Sequence, residues 1–282
     1  MILILPFALV ILLLFLSIFQ VLLQSLGYLP AFGMDQLTLD YYRAVFNRPD
    51  FLSSLLVSVR VSFISSVLAC ILGVILVASL VKLNKKKPSL HHTMRLPILV
   101  PHAVVALFCI LIVSQTGILA RILYGLGLIE DHTQFPSILY TEGYWGVILS
   151  YLWKEIPFVA YFCYALMRSI NSTLSEASEN LGASSLRSFL EIELPLSLPA
   201  ILKSFLIILI FNFGGYEIPL LLGPTLPKAL PIQAHHAYYH PDLTQRPYAL
   251  ALFGIILLFS AFMSLLYYLL MRIVIKRTGG ES

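Results

Sequence analysis

Four charged residues lie inside long apolar stretches of the sequence, where an ionised side chain is costly. They are Arg60, the adjacent pair Lys154 and Glu155, and Glu217 near the end of a stretch. Such a group has to meet water, an opposite charge or a bound ion. These residues are therefore candidates for contacting a charged solute. Arg60 and Glu155 can also form an ion pair, which would act as a structural lock without any solute contact.

The composition explains what surrounds these charges. The chain has 282 residues, of which 59% are hydrophobic and 11% charged, whereas a soluble domain carries about 25% charged residues. Apolar blocks of twenty or more residues are long enough to cross the roughly 30 Å of a bilayer core. The sequence therefore predicts an all-α polytopic membrane protein with six transmembrane helices. The predicted spans are residues 2–25, 53–80, 93–115, 143–167, 198–222 and 248–274.

Helix-breaking residues accompany two of the charged sites. Pro157 follows Lys154 and Glu155, and Gly214-Gly215 and Pro219 flank Glu217. Irregular backbone at membrane depth is tolerated only where it is buried in protein or lines an aqueous cavity. We expect a cavity in span five, the alternative being a plain helix end with Glu217 among the headgroups. The candidate pathway and gate residues are Arg60, Lys154, Glu155, Gly214, Gly215, Tyr216 and Glu217.

Lysine and arginine are distributed unequally between the two sides of the predicted spans. Under the positive-inside rule, this bias places both termini in the cytoplasm and makes the net charge of +4 a topology signal rather than a sign of nucleic-acid binding. The first apolar block is predicted to be a retained helix, because it is longer than a signal-peptide core. The basic residues assigned to the inside are Lys82, Lys85, Lys86, Lys87, Arg95, Arg168, Arg187, Lys203, Arg272, Lys276 and Arg277.

Other residues that could do chemistry are few. Cys70, Cys109 and Cys163 fall within spans without C-x-x-C spacing, so neither a disulfide nor a metal site is expected. The external histidines 235, 236 and 240 have only Asp242 as a nearby carboxylate. They favour a surface for a partner protein over a metal site. No G-x-x-x-x-G-K-[ST] motif occurs, so nucleotide hydrolysis would need another subunit.

A polar passage, "SEASENLGASSLRSFLEIELPL" at residues 175–196, interrupts the apolar pattern on the cytoplasmic side. It predicts two short helices, the first capped by Ser175 and the second by Ser184 or Ser185. Gly182 would make the turn in a left-handed conformation, and Pro195 would end the second helix. The predicted partly apolar face, which indicates a partner surface rather than a loop resting on anionic headgroups, consists of Leu186, Phe189, Leu190 and Glu193.

This passage resembles the cytoplasmic motif of permease subunits of binding-protein-dependent type I ABC importers. The motif reads E-A-A, three residues, G, nine residues, then I-x-L-P. Its matching residues here are Glu176, Ala177, Ser178, Gly182, Ile192, Leu194 and Pro195, with Ser178 in place of the second alanine. The resemblance implies that residues 170–197 form a coupling loop that seats in a groove of an ATP-binding subunit.

Three further passages are similar to the polyamine, iron(III), sulfate and phosphonate branch of that family. They are "YYRAVFNRPDFLSSLLVSVRVS", "SYLWKEIPF" and "FGGYEIPLLLGP". The resemblance implies a first helix and external loop in residues 1–52, a five-helix core in 53–275 and a cytoplasmic tail in 276–282. The predicted cargo is polyamine-like, or alternatively iron(III), sulfate, thiamine or phosphonate.

The resemblance also implies the partners and the location. The expected partners are an ATPase dimer, a second permease (a different chain, or a second copy of this one) and a periplasmic or lipid-anchored binding protein. The expected location is the bacterial inner membrane, and this chain itself would hold no cofactor. Two other functions stay open at this point: a membrane-embedded enzyme using Lys154, Glu155 and the histidines, and a scaffold subunit that transports nothing.

Overall fold

A computed structural model describes residues 5–84 and 93–277 of the chain, and the regular structure within them is helical. Two predicted inside residues near Lys86 and the extreme tail lie outside the described residues. The α-helices are α1 Leu5–Ser25, α2 Asp40–Phe46, α3 Phe51–Asn84, α4 Arg95–Leu99, α5 His102–Val113, α6 Ile118–Gly125, α7 Trp145–Ile170, α8 Glu176–Asn180, α9 Ser185–Ser188, α10 Leu194–Gly214, α11 Glu217–Leu222, α12 Leu230–Tyr238 and α13 Arg246–Arg277.

The all-helical membrane fold predicted from composition is confirmed. Within the described ranges, five helical stretches are long and apolar enough to cross a membrane, and they correspond to predicted spans one, two, three, five and six. The fourth predicted span is α7, whose 26 residues reach about 39 Å at 1.5 Å per residue. It is more polar than the others because Lys154 and Glu155 lie within it.

The third and fifth predicted spans are divided. Val100 is extended between α4 and α5, since the proline at position 101 disfavours a helical conformation in the residue before it. Helix α10 ends at Gly214 and α11 begins at Glu217, so the predicted break at the glycine pair is present. By contrast, α7 continues as a helix through Pro157.

The contacts divide the chain into two compact units. The first contains described residues 5–58 and 226–261. Within it, the amide of Gln233 on α12 donates to Asp50 (2.9 Å) and Ser54 (2.7 Å) at the start of α3. The backbone N–H of Leu230 donates to Ser58 at 2.7 Å. These bonds satisfy polar groups of the external segment that follows the fifth span.

The second unit contains residues 59–225 and 262–277, and its apolar core joins α3, α7 and α10. Gly73 permits close approach of α3 to α7, because a Cβ there would lie 2.8 Å from the Cβ of Val159. The three cysteines are buried and free, as predicted from their positions. This unit carries both the coupling loop and most of the candidate pathway residues.

Candidate functional site

The outgoing arm of the coupling loop is continuous with α7. Residues Asn171–Ser175 form a π-helical turn that leads directly into α8. The prediction that Ser175 caps a new helix is therefore wrong: its backbone is helical and its side chain caps nothing. The wider π turn carries the chain on without a break, so a cap is not needed.

Gly182 makes the turn in the loop, as predicted. Its φ of +96° lies in the left-handed region, and it follows the end of α8. The N–H of Ala183 donates to the Ser178 carbonyl (3.0 Å) and the N–H of Gly182 to the Glu179 carbonyl (3.0 Å). This is the Schellman pattern that satisfies the last carbonyls of a helix.

The return arm begins at Ser184, whose hydroxyl accepts from the N–H of Arg187 at 3.3 Å. The prediction that Pro195 ends this arm is wrong, because the helix runs unbroken from Ser185 to Gly214. A second π turn, Phe189–Glu193, precedes Pro195, which lies in the first turn of α10. A π turn relieves the ring–carbonyl conflict that a proline creates inside an α-helix.

Two buried polar contacts join the arms at their base. The amide of Asn171 donates to the Glu193 carboxylate at 2.7 Å, and both side chains are buried. The hydroxyl of Ser178 bonds that of Ser188 at 2.8 Å. Ser178 is the position at which the sequence departs from the motif, so the extra hydroxyl contributes a link between the arms. Asn171 and Ser188 were not among the residues singled out from the sequence.

The apolar face predicted for the return arm is split. Leu186 and Leu190 are exposed, whereas Phe189 is half-buried against the core and Glu193 is 1% exposed. The π turn shifts the helical phase, so residues expected on one face point in different directions. The exposed leucines and Leu181, which is 91% exposed, leave an apolar surface outside the spans. Of the motif residues, Ala177, Gly182 and Pro195 are exposed, and Glu176, Ser178, Ile192 and Leu194 are half-buried.

The candidate pathway residues of α7 line a cavity of about 210 Å³ in the second unit. Glu155 is 6% exposed, and within the described ranges neither of its carboxylate oxygens has a hydrogen-bond partner. Asn212 is a neighbour of this carboxyl, but its amide nitrogen donates to Ser65 (3.0 Å) and Ser66 (3.4 Å). The cavity is lined by Ile98, His102, Tyr151, Lys154, Glu155, Phe158, Ile207, Ile208 and Phe211.

The ammonium group of Lys154 has a different environment from the carboxylate beside it. It donates to the backbone carbonyl of Val100 at 2.5 Å. That carbonyl belongs to the extended residue between α4 and α5, so it lies outside the regular helix ladder. The break in the third span thus supplies the acceptor for a charge on the fourth. The sequence gave a reason to single out Lys154 but no means of finding this partner.

The Arg60–Glu155 ion pair considered from the sequence is not formed. The Arg60 guanidinium donates instead to the backbone carbonyl of Glu142 at 2.6 Å. Arg60 is exposed and Glu155 is buried, so the two side chains lie in different environments. Glu155 therefore keeps its carboxylate available toward the cavity.

The broken fifth helix contributes to the same region. Gly215 is extended, and a Cβ there would lie 3.0 Å from the Tyr151 hydroxyl and 3.1 Å from the Phe211 carbonyl. Beyond the break, Tyr216 and Glu217 are exposed, and Glu217 interacts electrostatically with Lys154 and His102. The break brings a second carboxylate toward the cavity. That these residues form a gate stays a prediction.

The external histidines lie on and after α12. The rings of His235 and His236 have centroids 6.1 Å apart, and Lys228 Nζ lies 3.5 Å from His236 Nδ1. Within residues 5–84 and 93–277, no group of three or more histidine, cysteine, aspartate or glutamate side chains could hold a metal ion. A role of this surface in receiving a partner stays a prediction.

The fold defines a class of membrane protein. It is similar to a chain in the crystal structure of a bacterial alginate ABC transporter in complex with alginate pentasaccharide-bound periplasmic protein, with a TM-score of 0.79 at 18% identity over 96% of this chain and 93% of that one. A second structure, of a bacterial ABC transporter involved in the import of the acidic polysaccharide alginate, gives a TM-score of 0.73 at 20% identity over 93% and 92%. The fold is that of a type I ABC importer permease.

The sequence identifies the family within that class. Residues 1–279 match the family of binding-protein-dependent transport system inner membrane components, and the chain belongs to it. It is thus a multi-pass transporter permease and not an enzyme, and the resemblance drawn from the coupling motif is confirmed.

Individual relatives are more distant. The chain is 27% identical to the spermidine/putrescine transport system permease protein PotB of Escherichia coli, over 66% of each chain. It is 27% identical to the putative ferric transport system permease protein FbpB 1 of Haemophilus influenzae, over 62% of this chain and 26% of that one. The chain thus spans just under two thirds of the first relative and about a quarter of the second.

Proposed function

We propose that the chain is a permease subunit of an ABC importer and forms half of a transmembrane pathway for a small solute. Family membership carries this proposal. The cavity beside Lys154 and Glu155, together with the broken third and fifth spans, supports a pathway through the second unit. A second permease, either a different chain or another copy of this one, supplies the other half.

On the cytoplasmic side, a separate ATPase binds the coupling loop. The loop presents exposed leucines at positions 181, 186 and 190, outside the predicted spans. An apolar surface in water is stabilised by a partner that covers it. The Gly182 turn and the Asn171–Glu193 and Ser178–Ser188 bonds hold that surface in one shape. Movement of the ATPase would thereby be transmitted to α7 and α10, which are continuous with the two arms.

On the outer side, a soluble or lipid-anchored binding protein delivers the solute. One of the similar structures contains a periplasmic protein, which supports a partner of this kind. The relatives' names include spermidine and putrescine as well as ferric transport. The cargo proposed from the sequence, polyamine-like or alternatively iron(III), sulfate, thiamine or phosphonate, is consistent with this range.

Purification of the tagged chain from its own membrane tests the proposal. An ATPase subunit should co-purify, and its hydrolysis should rise when a binding protein and cargo are added. Leu181→Asp should abolish co-purification, since it places a charge on the docking surface. Leu126→Asp is the matched control, because Leu126 is also an exposed leucine but lies outside the loop. Equal recovery of the ATPase with both variants would contradict docking at the loop.

A further inference from the structure

Two groups in the cavity of the second unit have no partner that their chemistry requires. Both oxygens of Glu155 and the hydroxyl of Tyr151 are buried and lack a hydrogen bond within the described part of the chain. Both side chains line the cavity. Buried polar groups normally find partners, and an orphaned carboxylate is especially costly. All three atoms can accept a hydrogen bond, so their common missing partner is a donor.

The charge balance around the cavity is negative. The Glu155 carboxylate lines it, and Glu217 interacts electrostatically with Lys154, His102 and Tyr151. Two carboxylates thus face one ammonium group, that of Lys154, which already donates to the Val100 carbonyl. An anion entering this space would meet the unpaired Glu155. A cation would meet an acceptor with nothing to displace.

Size and lining narrow the class of ligand further. A volume of about 210 Å³ is below the roughly 300–1,000 Å³ of pockets that enclose drug-sized ligands. It suits one end of a slender chain and excludes a sugar oligomer. Phe158 and Phe211 supply aromatic faces, which attract alkylammonium groups. An ammonium group also carries three N–H donors, enough for the two carboxylate oxygens and the tyrosine hydroxyl.

We propose that this cavity is a binding site for one ammonium end of a linear amine, held by Glu155 and Tyr151. The inference rests on the proposed function, because it assigns a cargo class to the pathway of that permease. Glu155 is the anchoring residue, Tyr151 a second acceptor, and the aromatic rings surround the alkyl portion. Lys154, tethered to Val100, lies to one side and limits the site to a single cationic end.

The test measures binding of radiolabelled 1,4-diaminobutane to the intact membrane complex in nanodiscs, without any binding protein. Competition uses chains of equal length: neutral 1,4-butanediol and anionic succinate. The wild-type complex should bind the diamine, and neither competitor should displace it. Glu155→Gln, which keeps shape and removes charge, should weaken binding about tenfold or more. Tyr151→Phe should produce a smaller loss.

Glu142→Gln is the matched control. It also removes one negative charge, but from an exposed side chain whose backbone carbonyl, not its carboxyl, bonds Arg60. Its binding should equal that of the wild type. Equal binding by Glu155→Gln and wild type, no diamine binding by wild type, or displacement by succinate would each overturn the site. If Glu155→Gln does not fold, Tyr151→Phe and the competition series decide.

Hydrolysis separates the two proposals. If ATPase activity is stimulated by a binding protein while Glu155→Gln leaves diamine binding unchanged, the amine site is wrong and the permease function stands. If no ATPase associates with a chain that binds the diamine through Glu155, the permease function is wrong and the site stands.

Discussion

At the scale of single residues, two buried carboxylates in the second unit differ in their partners. Glu193 accepts from Asn171 at 2.7 Å, whereas Glu155 has no hydrogen-bond partner among the residues that the structure describes. A satisfied buried carboxylate fixes a local shape, and an unsatisfied one facing a cavity is available to a ligand. The sequence distinguished neither, because both are glutamates beside apolar residues and their partners lie on other helices or turns.

The Asn171–Glu193 bond should stabilise the base of the coupling loop. Asn171→Ala leaves the Glu193 carboxylate buried without that donor, so it should lower the free energy of unfolding by about 1–3 kcal/mol. Arg187→Ala removes an exposed ion pair with Glu191, of 3.0 Å, in the same loop. Its effect should stay within about 1 kcal/mol. Thermal unfolding of the purified complex measures both, and equal effects would contradict a special role for the buried bond.

His236 should titrate below its ordinary range. Burial, then the charge of Lys228 and then that of His235, hold the pKa of His236 below its usual value of 6.5. The unfolded chain therefore takes up this proton more readily than the folded chain, so the stability contributed here is present above that value and lost as pH falls. Histidine NMR should find a lowered pKa, raised by Lys228→Met but not by Arg43→Met. A pKa at or above 6.5 in the wild type would exclude this account.

At the scale of helices, the breaks differ in how well the sequence predicts them. Gly214-Gly215 is a local signal, and the fifth span breaks there. Pro101 also breaks a span, but the break was missed because the apolar run continues across it. Pro195 gave the opposite error, because a preceding π turn lets the helix continue. Whether a proline ends a helix depends on the turn before it, and hydrophobic periodicity does not reveal a π turn.

The Gly182 turn should be essential for the shape of the coupling loop. Its φ of +96° is strained for any residue with a Cβ, although the space around it is open. Gly182→Val should therefore cost about 1 kcal/mol or more and misplace α8 relative to α9, with loss of the ATPase or of coupled hydrolysis. Gly125→Val is the control, since that glycine has equally open space without positive φ. Normal coupled hydrolysis in Gly182→Val would refute the prediction.

At the scale of the whole molecule, composition and apolar block length were enough to predict the helical membrane fold, and one spaced motif was enough to predict the family. The cavity could not be predicted in the same way. Glu155 and Lys154 were singled out as intramembrane charges, but Tyr151, His102 and the Val100 carbonyl come from three segments that only the fold brings together. Its meaning also depends on which charges are already paired.

The orientation of the chain is a further prediction at this scale. With the positive-inside assignment, Ser185→Cys should be labelled by an impermeant thiol reagent only in opened cells, and Asp35→Cys in intact cells. Background labelling should be low because the three native cysteines are buried. Labelling of Ser185→Cys in intact cells would reverse the topology and remove the coupling loop from the cytoplasm.

The most direct test of the proposed coupling is hydrogen–deuterium exchange of the purified complex with and without its ATPase. If the ATPase docks on the coupling loop, backbone amides of residues 176–195 should gain protection when it binds. Amides of α12, Leu230–Tyr238, should not change. Formation of the complex without added protection in residues 176–195 would contradict the account at its centre.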